Sequence, residues 1–327
     1  MRSRIFSLLA LAGAAACGRE SGSPAASPTP GASAGGDVWT RLTPMSESRQ
    51  EVCVAEIGGR IYVAGGFVAG GATSSTLEVY DPDRNAWSTL APMPRGLNHC
   101  MAAAVSGRLY VIGGALASGG DSADTMEYDP QANTWRLRAP MPTPRSAAMA
   151  AVLSGRIYVA GGTGSGRALE VYDPQADTWS ALPLMPTGRN HVAGGVAGSR
   201  LFAVGGRPPN TLSVNEAFDT TTGIWSTLAP MPTGRSGHAA AVVRGCLYTF
   251  GGEGNAAAPT GVFPQNEVYD PRSNTWQTLT PMPTPRHGIA AAVIGDRIFI
   301  PGGAATQGFG VVAAHEAYTV PAGRTCQ

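Results

Sequence analysis

Six tryptophans, Trp39, Trp87, Trp135, Trp179, Trp225 and Trp276, are each followed 26 residues later by a Gly-Gly pair, beginning at Gly65, Gly113, Gly161, Gly205, Gly251 and Gly302. That spacing never varies, whereas the interval from one Trp to the next runs 48, 48, 44, 46 and 51 residues. All of the variation falls between Gly-Gly and an aromatic, Tyr80, Tyr128, Tyr172, Phe218 or Tyr269, that stands seven residues before the next Trp. A segment that absorbs every insertion is a loop, and six copies place six such loops on one face of the molecule.

Each period reads as four short strands. After a Met-Pro turn comes a strand of small residues (AMAAV, HAAAVV, GIAAAV), then a Gly-containing hairpin and an alternating apolar strand (RIYVAGG, RLYVIGG). The variable loop follows, then LEVYDP, an Asp-Pro turn and the Trp strand; Asn85, Asn133, Asp177 and Asn274 just before the Trp are turn formers. The 44 glycines and 26 prolines fit a chain dominated by turns rather than helices. The strands are apolar on both faces, so each sheet needs a neighbour on either side. Six twisted four-stranded sheets around an axis meet that need, with the Ala/Gly-rich strand innermost, where a tapering wedge has least room, and Trp and Tyr filling the wide outer part.

The Gly-Gly pair, the YDP and the following Trp, at this period, resemble the kelch motif over residues 37–319. The resemblance implies an all-β fold, a six-bladed β-propeller with four strands per blade. The last repeat reaches Glu316-Ala317-Tyr318, but position 325 is Thr rather than Trp. Its missing outer strand is expected from VWTRL at 38–42, so that the N-terminal Trp strand closes the ring.

Residues 1–16 read as a signal peptide: Arg2 and Arg4 precede an apolar run, Ile5 to Ala16, too short to span a bilayer. LAGAAAC resembles the lipobox of bacterial lipoproteins, with Ala14 where Leu is commonest, and implies lipidation of Cys17. Residues 17–36 form a Ser/Pro/Gly linker that cannot bury a core, which leaves 37–327 as the globular domain. The expected location is therefore the cell envelope, with the membrane touched only through the lipid anchor; the alternative is ordinary secretory cleavage that leaves Cys17 unmodified and the protein secreted or soluble in the periplasm. The formal charge is +1 and every one of the 23 basic residues is Arg, a balance that gives no reason to expect nucleic acid as a partner.

Ten residues after the Trp stands an Arg in five repeats: Arg49, Arg145, Arg189, Arg235 and Arg286. Two before the YDP aromatic stands a Glu in five: Glu78, Glu170, Glu216, Glu267 and Glu316. Both exceptions, Leu97 and Met126, fall in one repeat, the coupled loss expected of a buried ion pair. One reading of these ten residues is a repeated internal brace; the other is a ring of Arg at the channel mouth that clamps an anionic ligand.

His99, His191, His238 and His287 follow the same Arg position at offsets of one to three residues, and line one entrance to the axis. Such offsets send side chains in different directions, so neither a metal site nor a cofactor is expected. The His, Tyr and Tyr-Cys set of galactose-oxidase-like copper enzymes, which share the kelch propeller, cannot be assembled here. In the variable loops the charges are few, among them Asp121, Asp124, Arg167, Arg207 and Glu253, and no nucleophile with its base, phosphate cradle or carboxylate pair is recognisable. In an oxidising compartment Cys53 with Cys100, and Cys246 with Cys326, are the expected disulfides. The leading expectation is a non-enzymatic module that binds a protein or glycan through its loop face. The alternative, by similarity to exported sialic-acid mutarotases, is a sugar-converting enzyme that uses channel Arg and Glu residues.

Overall fold

The computed structural model describes residues 38–326. The signal-peptide, Cys17 and linker assignments lie outside the described residues. Six four-stranded antiparallel sheets carry the architecture, each built from one repeat in simple up-and-down order. The first is Cys53–Ile57, Arg60–Ala64, Leu77–Asp81 and Ala86–Thr89. The last takes its outer strand from the start of the chain: Val38–Arg41 pairs antiparallel with His315–Thr319, placing Trp39 opposite Tyr318 as Trp87 lies opposite Tyr80. This is a six-bladed propeller closed by its first strand.

The repeat residues are the joints between blades. Each indole N–H donates to the backbone carbonyl four residues after the preceding Trp: Trp87 to Thr43 at 2.9 Å, Trp135 to Ala91 at 2.9 Å, and so around to Trp39 on Thr280 at 3.1 Å. The Asx before the Trp bridges likewise: Asn85 Oδ1 accepts from the Tyr80 hydroxyl at 2.7 Å and from the Thr43 amide at 3.0 Å. One blade has Phe218, with no hydroxyl, and there the Asx position is Gly223, so donor and acceptor are lost together.

Gly-Gly is a joint of the same kind. Gly66 N donates to Leu97 O of the next blade at 2.8 Å. Gly65 has φ +63°, and a Cβ there would stand 2.3 Å from that carbonyl oxygen, so no side chain fits. Met45, Met93, Met141, Met185, Met231 and Met282 are all buried in the adjoining interfaces. The innermost strands line the axial channel with small residues, among them Ala102, Ala150, Gly194, Ala240 and Ala291.

Candidate functional site

The five arginines and five glutamates pair within their blades, side chains 0% exposed for every Arg: Arg49 with Glu78 at 2.6 Å, Arg145 with Glu170 at 2.5 Å, Arg189 with Glu216 at 3.1 Å, Arg235 with Glu267 at 2.5 Å and Arg286 with Glu316 at 2.5 Å. The guanidiniums also reach backbone carbonyls, as Arg145 does with Thr143 O (3.0 Å) and Val159 O (3.1 Å). The geometry favours the brace over the ligand clamp: each guanidinium is fully buried and paired with its glutamate inside the blade. Leu97 and Met126 stand in the same two positions of the exceptional blade, both fully buried in apolar surroundings.

Two residues beyond the Arg position the chain turns towards the axis, at Glu51, His99, Ala147, His191, Gly237 and Gly288. All six have left-handed backbone, φ between +51° and +61°. Each amide donates to the carbonyl of its counterpart in the preceding blade, in a closed ring of six hydrogen bonds of 2.7–3.1 Å. Non-glycine residues hold this conformation at a cost of the order of 1 kcal/mol each. The ring frames the mouth of the axial channel, a cavity of about 140 Å³ bordered by Glu51, His99, His191 and Gly237.

Three chemically active side chains hang from that ring. His99 Nδ1 lies 2.6 Å from Asn98 Oδ1, and His191 Nδ1 lies 2.7 Å from Asn190 Oδ1. An amide oxygen only accepts, so both imidazoles carry their proton on Nδ1 and turn a bare Nε2 elsewhere. His99 Nε2 faces Glu51 Oε2 at 3.3 Å, and His191 Nε2 accepts from Arg207 Nη2 at 3.0 Å. Arg207 also pairs with buried Glu253. His287, buried beneath, sets Nδ1 3.6 Å from both Glu51 and Glu253, and its Nε2 is 3.0 Å from Thr306 O.

Burial, with the Glu253 charge adding to it against His287 and Arg207, pushes the Glu51 carboxyl up to about 7. Burial and then the Arg207 charge lower His99 to about 4, while burial and then the neighbouring His99 and Arg207 hold His191 well below the ordinary range. Both imidazoles are neutral bases at pH 7. On one side of the mouth the Phe67 ring meets His99 edge-on at 5.8 Å and Phe309 at 6.4 Å; Phe309 is exposed to solvent.

Sequence reasoning therefore reached His191 and His287 but missed Glu51. Contrary to the expectation of divergent side chains, His99 and His191 share one offset and converge, and His238 turns away, into the wall beside Arg189 and Arg235, where burial and these charges lower its pKa. The available signal was the Asn-His dipeptide, found at 98–99 and again at 190–191. Among the loop charges, Arg207 and Glu253 reach the mouth because the residue after each Gly-Gly bridges back to the residue after the Arg position, Arg207 to Asn190 and Glu253 to Ser236. Asp121 accepts from Thr163 Oγ1 (2.6 Å), Asp124 pairs with Arg95 (3.1 Å) and Arg167 donates to Met185 O (2.6 Å). Cys53 and Cys100 are joined in a disulfide across one blade interface, Cα atoms 5.6 Å apart, and Cys246 is joined to Cys326 of the C-terminal tail.

The solved structure of YjhT superimposes with a TM-score of 0.73 at 19% identity, covering 86% of this chain and 98% of that one, which is a likeness of fold. A Kelch-like protein, terF, from Aspergillus terreus is 46% identical over 57 residues, 17% of this chain and 12% of that protein, so the match spans a small part of its length. The Kelch motif model matches residues 234–283, and the KLHDC2/KLHL20/DRC7 Kelch-repeats domain model matches residues 51–252. With well over half its length matched by that domain, the chain belongs to the kelch-repeat family.

Proposed function

We propose that this protein is a non-enzymatic binding or scaffolding module of the bacterial cell envelope, exported by residues 1–16 and anchored through Cys17, that recognises a protein or glycan with its loop face. Kelch membership supports a protein-binding or scaffold role in general. The observation that carries the finer reading is the axial mouth. There an aromatic wall of half-buried Phe67 and exposed Phe309 stands beside a polar floor of Glu51, His99 and His191, with Arg207 bonded to His191. Apolar walls with a few convergent polar groups are the anatomy of a recognition site, and loops on a rigid scaffold supply its rim.

The test is a thermal-shift screen of the purified protein against acidic and neutral sugars, peptidoglycan fragments and envelope peptides. A ligand at a hundred times its dissociation constant adds ~2.7 kcal/mol, a shift of roughly 4–5 °C for a domain of this size. The expected shift disappears in Phe309→Ala and Arg207→Ala. A panel without any shift, together with envelope pull-downs that these substitutions leave unchanged, refutes the loop-face reading.

A second reading, a sugar mutarotase, is favoured by one observation: a carboxyl held near pH 7 stands 3.3 Å from a neutral imidazole, a pairing suited to general acid and base work. In that case Glu51, His99 and Arg207 act, and the ten brace residues do not. Acceleration of anomer exchange of a carboxylated sugar, followed by NMR, separates it from the first reading.

A further inference from the structure

The geometry points to a divalent transition-metal site at the axial mouth, with Glu51, His99 and His191 as its three protein ligands and its open position facing the channel. The inference rests on the reading of the mouth as the ligand site and deepens it. A ligand atom from each of the three residues lies within 4.8 Å of the others, and the carboxylate-to-imidazole edge from Glu51 Oε2 to His99 Nε2 is 3.3 Å. Bonds of about 2.0–2.1 Å at tetrahedral angles give an edge of ~3.3 Å. Two imidazoles and one carboxylate with a free fourth position form the ligand set of metal sites that exchange a water for substrate.

Three independent features support the assignment. Both imidazoles donate Nδ1–H to an asparagine oxygen and leave Nε2 as the acceptor, facing Glu51 in His99 and bonded to Arg207 in His191, the outer-shell arrangement that orients a metal-binding histidine. Asn98 is itself held by Thr73 Oγ1 at 2.9 Å, which fixes the amide with its oxygen towards His99. Secondly, His99 Nε2 and Glu51 Oε2 face each other lone pair to lone pair, an arrangement stable only with a proton or a cation between them. Thirdly, the three residues spend backbone strain to stand on the ring, and Gly288 makes room for one of them: a Cβ there would lie 2.7 Å from Glu51 Oε1. Arg207 pairs with Glu253, and Glu51 shares with Glu253 only the His287 Nδ1 at 3.6 Å, which leaves the Glu51 carboxylate without a guanidinium partner among the described residues and suited to a cation. On binding, His191 Nε2 exchanges Arg207 for the ion while Arg207 keeps Glu253.

The experiment is calorimetric titration of the purified, chelator-treated full chain with Zn²⁺, repeated with Co²⁺ and read from its visible absorption. One equivalent is expected. His99→Gly and His191→Gly remove a ligand at positions where two other blades already carry glycine in the same backbone conformation, so the fold is kept, and melting curves verify it. Each is expected to weaken Zn²⁺ binding by more than the ~10–100-fold typical of losing an outer-shell partner. Arg207→Gln, which removes the competing cation, is expected to tighten it. Absence of binding by the folded wild type, or binding that both glycine variants leave unchanged, overturns the site and assigns the Glu51–His99 contact to a shared proton. A sugar or partner that still shifts melting in chelator leaves the recognition reading standing without the metal; a bound ion with no loop-face ligand does the reverse.

Discussion

Replacing Arg145 by Leu is expected to destabilise the propeller far more than replacing Arg145 and Glu170 together by Leu and Met. Arg145 is fully buried, with Nη1 2.5 Å from Glu170 Oε2 and further bonds to Thr143 O and Val159 O, and Glu170 is 4% exposed. Arg145→Leu leaves the carboxylate in a blade interior with only the Thr143 hydroxyl at 2.7 Å. Removing one partner of such a pair costs ~3–5 kcal/mol, roughly 5–8 °C in melting temperature for a domain of this size. The double variant reproduces what the molecule already has at Leu97 and Met126. Apolar replacement of both partners is commonly neutral, or stabilising by ~1–4 kcal/mol. Chemical denaturation of wild type, Arg145→Leu, Glu170→Met and the double variant completes the cycle. A double variant at least as unstable as the sum of the singles would falsify the coupled-loss argument.

Two further expectations concern stability. His315 is buried against Tyr80 and Trp87, and burial lowers its pKa to about 3; His238 is depressed in the same way. Both are neutral when folded and titrate near 6.5 when unfolded, so the unfolded chain binds more protons below pH 6.5. Stability should therefore be fully present above pH 6.5 and fall with acid by up to ~1.4 kcal/mol per pH unit for each histidine; urea midpoints that stay constant from pH 7.5 to 5 contradict this. Cys326→Ser removes a cross-link between residues 80 apart in sequence and should cost ~2–4 kcal/mol. Arg244 still grips the tail through the carbonyls of Pro321, Ala322 and Arg324, so melting should drop while hydrogen exchange of the last blade is largely retained; wild-type melting in the variant refutes the role of the disulfide.

The propeller was legible in the chain because its determinants recur at fixed offsets within a repeat. Trp, Met and Gly-Gly make the same inter-blade contact six times, and the Asx four times, so one unvarying interval of 26 residues announces all six joints. The braces were legible for a related reason: Arg and Glu share a blade, and Leu97 with Met126 exposes the pairing by its joint absence. Whether those arginines faced a ligand or a carbonyl was not legible, since burial depends on neighbouring blades.

The axial cluster belongs to the tertiary structure. Glu51, His99 and His191 come from three blades and meet only where the ring brings one position of every repeat to a common axis. A reading that compared histidines with histidines passed over the glutamate at the same offset. Arg207 and Glu253 reach the mouth by a backbone bridge from loops whose lengths differ. Local periodicity, carried by contacts between adjacent repeats, was sufficient for the fold; the chemistry at the mouth arises from convergence across the whole chain, which no local interval encodes.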